Sequence, residues 1–140
     1  QFRTAMLAGN EEYSAGRIAA AHAHFNVSVI LARRLMLLAG AGLSEPDMAL
    51  RAVAEASGNA ARCLMRLDES AKALNGYLAS CRYLCAWTET GGTGGDFRCA
   101  CHASLAGMLE TADDLHRRVS LPPDEVAEIR SRLVMADGAA

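Results

Sequence analysis

The residues with the most specific chemistry in this chain are its cysteines and histidines. Cys81 and Cys85 lie one helical turn apart, and Cys99, Cys101 and His102 follow after a glycine-rich stretch. Two antiparallel helices could bring both groups together, and zinc accepts four such ligands in a tetrahedron. However, the C-x(3)-C and C-x-C spacings are not those of zinc ribbons, and free cysteine also packs as a small core residue. We therefore predict no metal and no cofactor, and keep a zinc site as the alternative.

Catalytic patterns are not found elsewhere in the sequence. There is no H-E-x-x-H or G-x-S-x-G motif, and "GGTGG" is not followed by the Lys-Ser/Thr pair of a phosphate-binding loop. His22 and His24 fall on opposite faces of one helix, so they cannot share a metal ion. The carboxylates of "LDES" and "TADD" lie on turns where solvated charges are common. The sequence predicts a protein that is not an enzyme.

Composition narrows the classes of partner and compartment. The 140 residues carry a net charge of −2, whereas nucleic-acid binders usually have a basic excess that neutralises phosphates. The most apolar run, from Val27 to Leu43, carries Arg33 and Arg34 at its centre and is short for a membrane span. An odd number of cysteines fits reduced thiols in the cytosol. We expect a cytoplasmic protein with no nucleic acid partner and no membrane insertion.

Good helix formers dominate the sequence, and apolar residues recur at helical spacing between five breaks. Among these breaks are the glycine-rich "TETGGTGGDF" and the proline pair in "SLPPDE". Short and long connections alternate, which is typical of a string of helical hairpins. The predicted helices cover 3–14, 17–39, 45–64, 67–87, 96–106, 108–119 and 123–136.

A spacing pattern recurs in these hairpins. Gly9 is followed by a small residue twelve positions later and by a large apolar one at sixteen, and Gly58 repeats the pattern with Ser70 and Leu74. A weaker third copy starts at Ala100, with Gly107 in its turn. Small residues on both helices of a hairpin allow close approach, which would offset the cost of about 1 kcal/mol for a glycine within a helix. We expect Gly9 to face Ala21, Gly58 to face Ser70 and Ala100 to face Ala112, with Phe25 and Leu74 filling the gaps toward the next hairpin.

The stretches "AGNEEYSAGRIAAAHAHF", "SGNAARCLMRLDES" and "ACHASLAGMLETA" resemble the tetratricopeptide repeat (TPR) family. Their period exceeds the roughly 34 residues usual for that repeat, and so looks like the long-period variant of Pins-type spindle-orientation adaptors and kinesin light chains. The resemblance implies an all-α fold: a right-handed superhelical array of antiparallel hairpins. We expect one domain over 1–140, a piece of a longer protein, with hairpins at 3–39, 45–87 and 96–119 and a C-terminal capping helix at 123–136.

The resemblance also implies a function, that of a scaffold or adaptor that binds a partner's peptide segment on its concave face. Asn10 and Asn59 directly follow the two glycines, and each amide can both donate to and accept from a peptide backbone. Arg62 and Arg98 can select carboxylates through forked hydrogen bonds. The predicted peptide-binding residues are Arg3, Asn10, Tyr13, Asn59, Arg62 and Arg98, and positions 55, 97 and 101 also match groove-lining sites.

A second hypothesis is a structural or oligomerisation segment without a peptide ligand. The polar helix around "DEVAEIRSR" can act as a solvating cap at one end of the array. The opposite end, around "FRTAML", has no such cap. Self-association through this uncapped N-terminal end is the alternative that the sequence leaves open.

Overall fold

The fold is all-α, as predicted. The computed structural model describes residues 1–89, 94–119 and 124–138, and within these ranges there is no strand. The predicted breaks at 88–97 and 120–125 fall partly on residues 90–93 and 120–123, which lie outside the described residues. The six described helices are α1 (Phe2–Ser14), α2 (Ile18–Gly40), α3 (Pro46–Arg66), α4 (Ser70–Glu89), α5 (Gly95–Arg117) and α6 (Asp124–Gly138).

The helices pack mostly in sequential order. Each helix contacts the next one along the chain, and α2 and α3 share the most extensive contact. Contacts also skip one helix: α1 touches α3, α3 touches α5, and α4 touches α6. The odd-numbered helices are therefore neighbours in a row, with α3 in the middle, and that row positions the candidate site.

Two apolar clusters hold the helices together. The larger one extends from α2 to α6 and includes Leu78 and Leu84 of α4 and Leu105 of α5, all of which are fully buried. The smaller one joins the first three helices around Phe25, which packs with Ile18, Ala21, Ala60 and Cys63. Phe25 of α2 thus reaches α3, which confirms that it fills the gap toward the next hairpin.

Aromatic side chains of α4 explain how α2 tolerates an arginine within its apolar run. The guanidinium carbon of Arg33 lies 4.8 Å from the ring centroid of Tyr83, and the Tyr83 hydroxyl donates to the Arg33 carbonyl oxygen at 3.2 Å. One turn further along α4, the Trp87 ring lies 2.7 Å from where a Cβ at Gly40 would be. Stacking on tyrosine compensates part of the lost hydration of the guanidinium.

The predicted break at Gly107 is wrong. Helix α5 continues from Gly95 to Arg117 through this glycine. A glycine within a helix costs about 1 kcal/mol relative to alanine, and burial of the adjacent Met108 and Leu109 offsets this cost. The third hairpin predicted over 96–119 is therefore a single helix. Ala100 and Ala112 lie on that one helix, so they cannot face each other across a hairpin.

The two glycines of the repeated pattern have different environments. At Gly9, an added Cβ would lie 2.6 Å from Cε1 of Phe25, so the glycine is needed for close packing, and the atoms nearest to it belong to the Phe25 ring. At Gly58, a Cβ would meet nothing within 4 Å, so the predicted close contact with Ser70 is wrong. The tight α3–α4 contact instead involves the neighbouring Ser57, whose hydroxyl donates to the Ser80 hydroxyl at 2.7 Å.

The prediction of no membrane insertion can be compared with the length and hydropathy of the helices. Within the described residues, no helix combines the length and the hydropathy that crossing a bilayer requires.

Candidate peptide-binding site

Four of the six residues predicted to bind a peptide line one recess between α1 and α3. Asn10 and Tyr13 come from α1, and Asn59 and Arg62 come from α3. Phe25 forms the apolar floor, and the recess has a volume of about 220 Å³. We call this recess the tyrosine site.

Helix geometry explains why these residues converge. Asn10 and Tyr13 are three residues apart, as are Asn59 and Arg62, and side chains at this spacing share a helix face. Phe25 reaches across the α1–α2 hairpin to α3, so it sets the position of α1 beside α3. Because the Phe25 ring occupies the space of a Cβ at Gly9, the glycine brings α1 close to this ring. The same packing therefore creates the core and the recess.

The structure adds Arg66, which the sequence analysis missed. Its guanidinium carbon lies 5.3 Å from the ring centroid of Tyr13, and its Nη1 donates to the Tyr13 hydroxyl at 3.3 Å. The guanidinium carbon of Arg62 lies 6.0 Å from the same centroid. Arg66 follows Arg62 by four residues, and this spacing on one helix face is the signal that could have found it.

The tyrosine site carries positive charge that no carboxylate of the described residues neutralises by an ion pair. Neither Arg62 nor Arg66 forms an ion pair with any described carboxylate. Glu12, which precedes Tyr13 in the sequence, binds Arg17 instead and closes the α1–α2 turn. The hydrogen bond from Arg17 lowers the pKa of Glu12, so this carboxylate stays ionised and engaged. Two guanidinium groups therefore remain available to an incoming anion.

The other two predicted residues lie apart from this site. Arg98 is in the first turn of α5, and its Nε donates to the Thr88 carbonyl oxygen at 3.3 Å, close to the end of α4. Arg3 lines a separate, larger pocket beside α2 and the start of α3. Of the further groove positions, Phe97 and Cys101 are buried in the core. The structure therefore does not join Arg3 or Arg98 to the tyrosine site.

The cysteines do not converge on a metal site. Cys81, Cys85 and Cys101 are buried in the core, whereas Cys99 is exposed. Cys99 and Cys101 are two positions apart on α5, and side chains at this spacing point about 200° apart around a helix. Among the described residues there is no group of three or more potential ligands that could hold a metal ion. Burial raises the pKa of Cys81 to about 12 and that of Cys101 to about 11. These thiols are neutral at physiological pH, as expected of packed apolar side chains.

Comparisons with known proteins found no match to any protein family, any curated protein or any solved structure.

Proposed function

We propose that the chain is a non-catalytic protein–protein interaction module that binds an acidic peptide segment of a partner protein at the tyrosine site. One observation carries the proposal: Arg62 and two asparagine amides line one recess, Arg66 contacts the Tyr13 ring of the same recess, and neither guanidinium pairs with a described carboxylate. Guanidinium groups bind carboxylates through two parallel hydrogen bonds. Amide groups of asparagine can hold a peptide backbone without reading its side chains.

The size of the recess favours a peptide over a small cofactor. Its volume of about 220 Å³ lies below the range of roughly 300–1,000 Å³ that is typical of small-molecule pockets. It can admit the end of one acidic side chain while the rest of a peptide stays on the surface. The mixture of a tyrosine ring and arginines is also the composition that is enriched at interaction hot spots.

The packing order supports an extended binding face. Helix α3 adjoins both α1 and α5, as the first helices of successive hairpins do in a helical-repeat array. We therefore propose a superhelical array with α1–α2, α3–α4 and α5–α6 as its hairpins. A second recess of about 380 Å³ lies between α3 and α5, where Gly58 and Gly107 leave open space. A peptide bound at the tyrosine site can continue across α3 into this recess.

The test is a selection from a random peptide library displayed on phage, with the whole chain as bait. The wild-type chain is expected to enrich peptides with a shared acidic residue. Synthetic versions of these peptides are then titrated against an Asn10→Ala/Asn59→Ala variant and an Arg62→Ala/Arg66→Ala variant. Because charged hydrogen bonds contribute about 1.5–3 kcal/mol each, the arginine variant should bind at least about tenfold more weakly.

Matched controls make the same changes elsewhere. Asn75 and Arg118 are exposed and form no side-chain hydrogen bond or ion pair with a described residue. The Asn75→Ala/Arg118→Ala variant should therefore bind like the wild type. The proposal is wrong if the selected peptides show no acidic residue in common. Equal binding by all three variants would also overturn it.

A further inference from the structure

A large pocket lies at the end of the molecule that contains the first turn of α1. It has a volume of about 920 Å³ and is enclosed by that turn, the C-terminal half of α2 and the N-terminal half of α3. We call it the end pocket. It does not share a lining residue with the tyrosine site. Its floor and walls are apolar and include Phe2, Leu31, Leu35, Leu38, Met48 and Ala52.

Charged side chains surround this apolar pocket, with three of each sign. None of the six forms a hydrogen bond or ion pair with a described side chain. A rim of unpaired charges around an apolar centre is typical of a protein interface before it closes. The balance of signs means that the occupant must also present both signs at matching places. The rim consists of Arg3, Arg34, Arg51, Glu45, Asp47 and Glu55.

An apolar projection stands next to the end pocket. Leu43, in the turn between α2 and α3, is 75% exposed. The turn ends α2 in a regular way: the Leu43 amide donates to the carbonyl oxygen of Leu38 at 2.8 Å, and Gly42 takes the left-handed conformation with φ of 75°. Leu38 itself lines the pocket. Met48, which lines the pocket, and Leu37, which precedes Leu38 in the sequence, are 55% and 60% exposed.

We propose that a second copy of this chain occupies the end pocket, so that the protein forms a twofold-symmetric dimer. In such a dimer the same patch is used by both copies, and each group must find its complement within that patch. The end of the molecule meets this requirement twice: it carries both a cavity and, in the neighbouring turn, the exposed Leu43, and its rim has equal numbers of cationic and anionic side chains. Leu43 of each copy enters the pocket of the other, and the two rims pair arginine with carboxylate.

The first test is the mass of the whole chain in solution, measured by sedimentation at concentrations from micromolar to hundreds of micromolar. The wild type is expected to reach the dimer mass within this range. Leu43→Glu should weaken dimerisation at least about tenfold, because both copies then place a charge in an apolar pocket. Met135→Glu is the matched control: Met135 is 74% exposed on α6 and should tolerate the change without loss of dimer.

The second test uses charge reversal to identify the pairing. One variant carries Arg34→Glu and Arg51→Glu, and the other carries Glu45→Lys and Glu55→Lys; Asp47 is kept because a carboxylate in the first turn of α3 favours the helix. Each variant alone should be monomeric, since its rim then carries mostly one sign. An equimolar mixture should regain the dimer mass.

Three results would overturn the proposal. The wild type could stay monomeric throughout the concentration range. The Leu43→Glu variant could dimerise as well as the wild type, which would place the contact elsewhere. The mixture of reversed variants could remain monomeric although each variant keeps the helical signal of the wild type in circular dichroism.

Discussion

The two glycines that begin the repeated pattern provide the sharpest test of the packing. Both lie within helices, yet Gly9 is buried against Phe25 and Gly58 faces open space. Alanine at Gly9 would place its Cβ 2.6, 2.8 and 2.9 Å from three ring atoms of Phe25. Alanine at Gly58 would meet no atom within 4 Å. One substitution, made at two positions, therefore separates helix propensity from packing.

The magnitudes follow from two opposing effects. Replacing glycine by alanine within a helix contributes about 1 kcal/mol to stability at either position. At Gly58 nothing opposes this gain, so the free energy of unfolding should rise by about 0.5–1 kcal/mol. At Gly9 the Phe25 ring must move, although it is only 2% exposed and is enclosed by core residues. Overpacking of this kind costs about 1–3 kcal/mol, so Gly9→Ala should lower the free energy of unfolding by up to about 2 kcal/mol.

The assay is urea unfolding of the whole chain followed by circular dichroism. The two variants should differ by about 1–3 kcal/mol in their free energies of unfolding. The Gly9→Ala change is then repeated in a protein that already carries Phe25→Leu, which removes the ring. In that background Gly9→Ala should become stabilising, because the clash is gone and the propensity gain remains. If Gly9→Ala stabilises the wild type as much as Gly58→Ala does, the close approach of α1 to Phe25 is refuted.

Three further predictions concern a hydrogen bond, an ion pair and a thiol. Ser57→Ala should lower the free energy of unfolding by about 1–3 kcal/mol because it leaves the buried Ser80 hydroxyl unpaired. The double variant Ser57→Ala/Ser80→Ala should lower it by less, because no hydroxyl is then left without its partner. Urea unfolding measures both variants. The hydrogen bond from Arg132 lowers the pKa of Glu89 in the folded protein. The pair therefore stabilises the fold fully at a pH above the pKa of this carboxyl in the unfolded chain. Its contribution is lost as the pH falls through the lowered pKa of the folded state. Since the pair is largely solvated, the difference between wild type and Glu89→Gln should be below about 1 kcal/mol at neutral pH and should vanish in acid. Under native conditions a thiol reagent should modify one cysteine quickly, because Cys99 is exposed and the other four thiols are buried. Cys99→Ser should abolish this fast phase. The absorbance of the group that the reagent releases follows the reaction.

The first four helices could be predicted from the sequence to within a few residues. Their ends coincide with glycine, proline and serine clusters, and the apolar period is regular between them. The error at Gly107 has a physical cause, since a single glycine does not end a helix whose next turn is anchored in the core. Gly76 of α4 shows the same behaviour. The repeat pattern suggested a turn at Gly107 where the local sequence has no cap and no proline.

The candidate site could be predicted in part, through the resemblance to the TPR family. The positions that match groove-lining sites of that family include Asn10, Tyr13, Asn59 and Arg62, and the spacing of three residues within each pair puts its members on one helix face. That the two pairs meet depends on the approach of α1 to α3, which Phe25 sets and which no local rule gives. Arg98 shows the opposite case: its contact with the end of α4 depends on how α5 is placed after a loop, and this placement is not encoded in the periodicity of either helix.

Charge distinguishes the two proposed surfaces and predicts how each should respond to salt. The tyrosine site presents cations without described carboxylate partners, so two copies of it would repel each other, and the ligand proposed for it is a different, acidic molecule. The end pocket carries three cations and three anions around an apolar centre, so it suits a copy of itself. Salt screens the attraction between a cationic site and an acidic peptide over about 10 Å at 0.1 M, so peptide affinity should fall steadily as salt is added. In the proposed dimer, apolar burial acts together with the ion pairs of the rim, and salt does not weaken apolar burial, so the dimer should persist in salt that releases the peptide. A dimer that dissociates in parallel with the peptide would contradict the assignment of the apolar pocket to self-association.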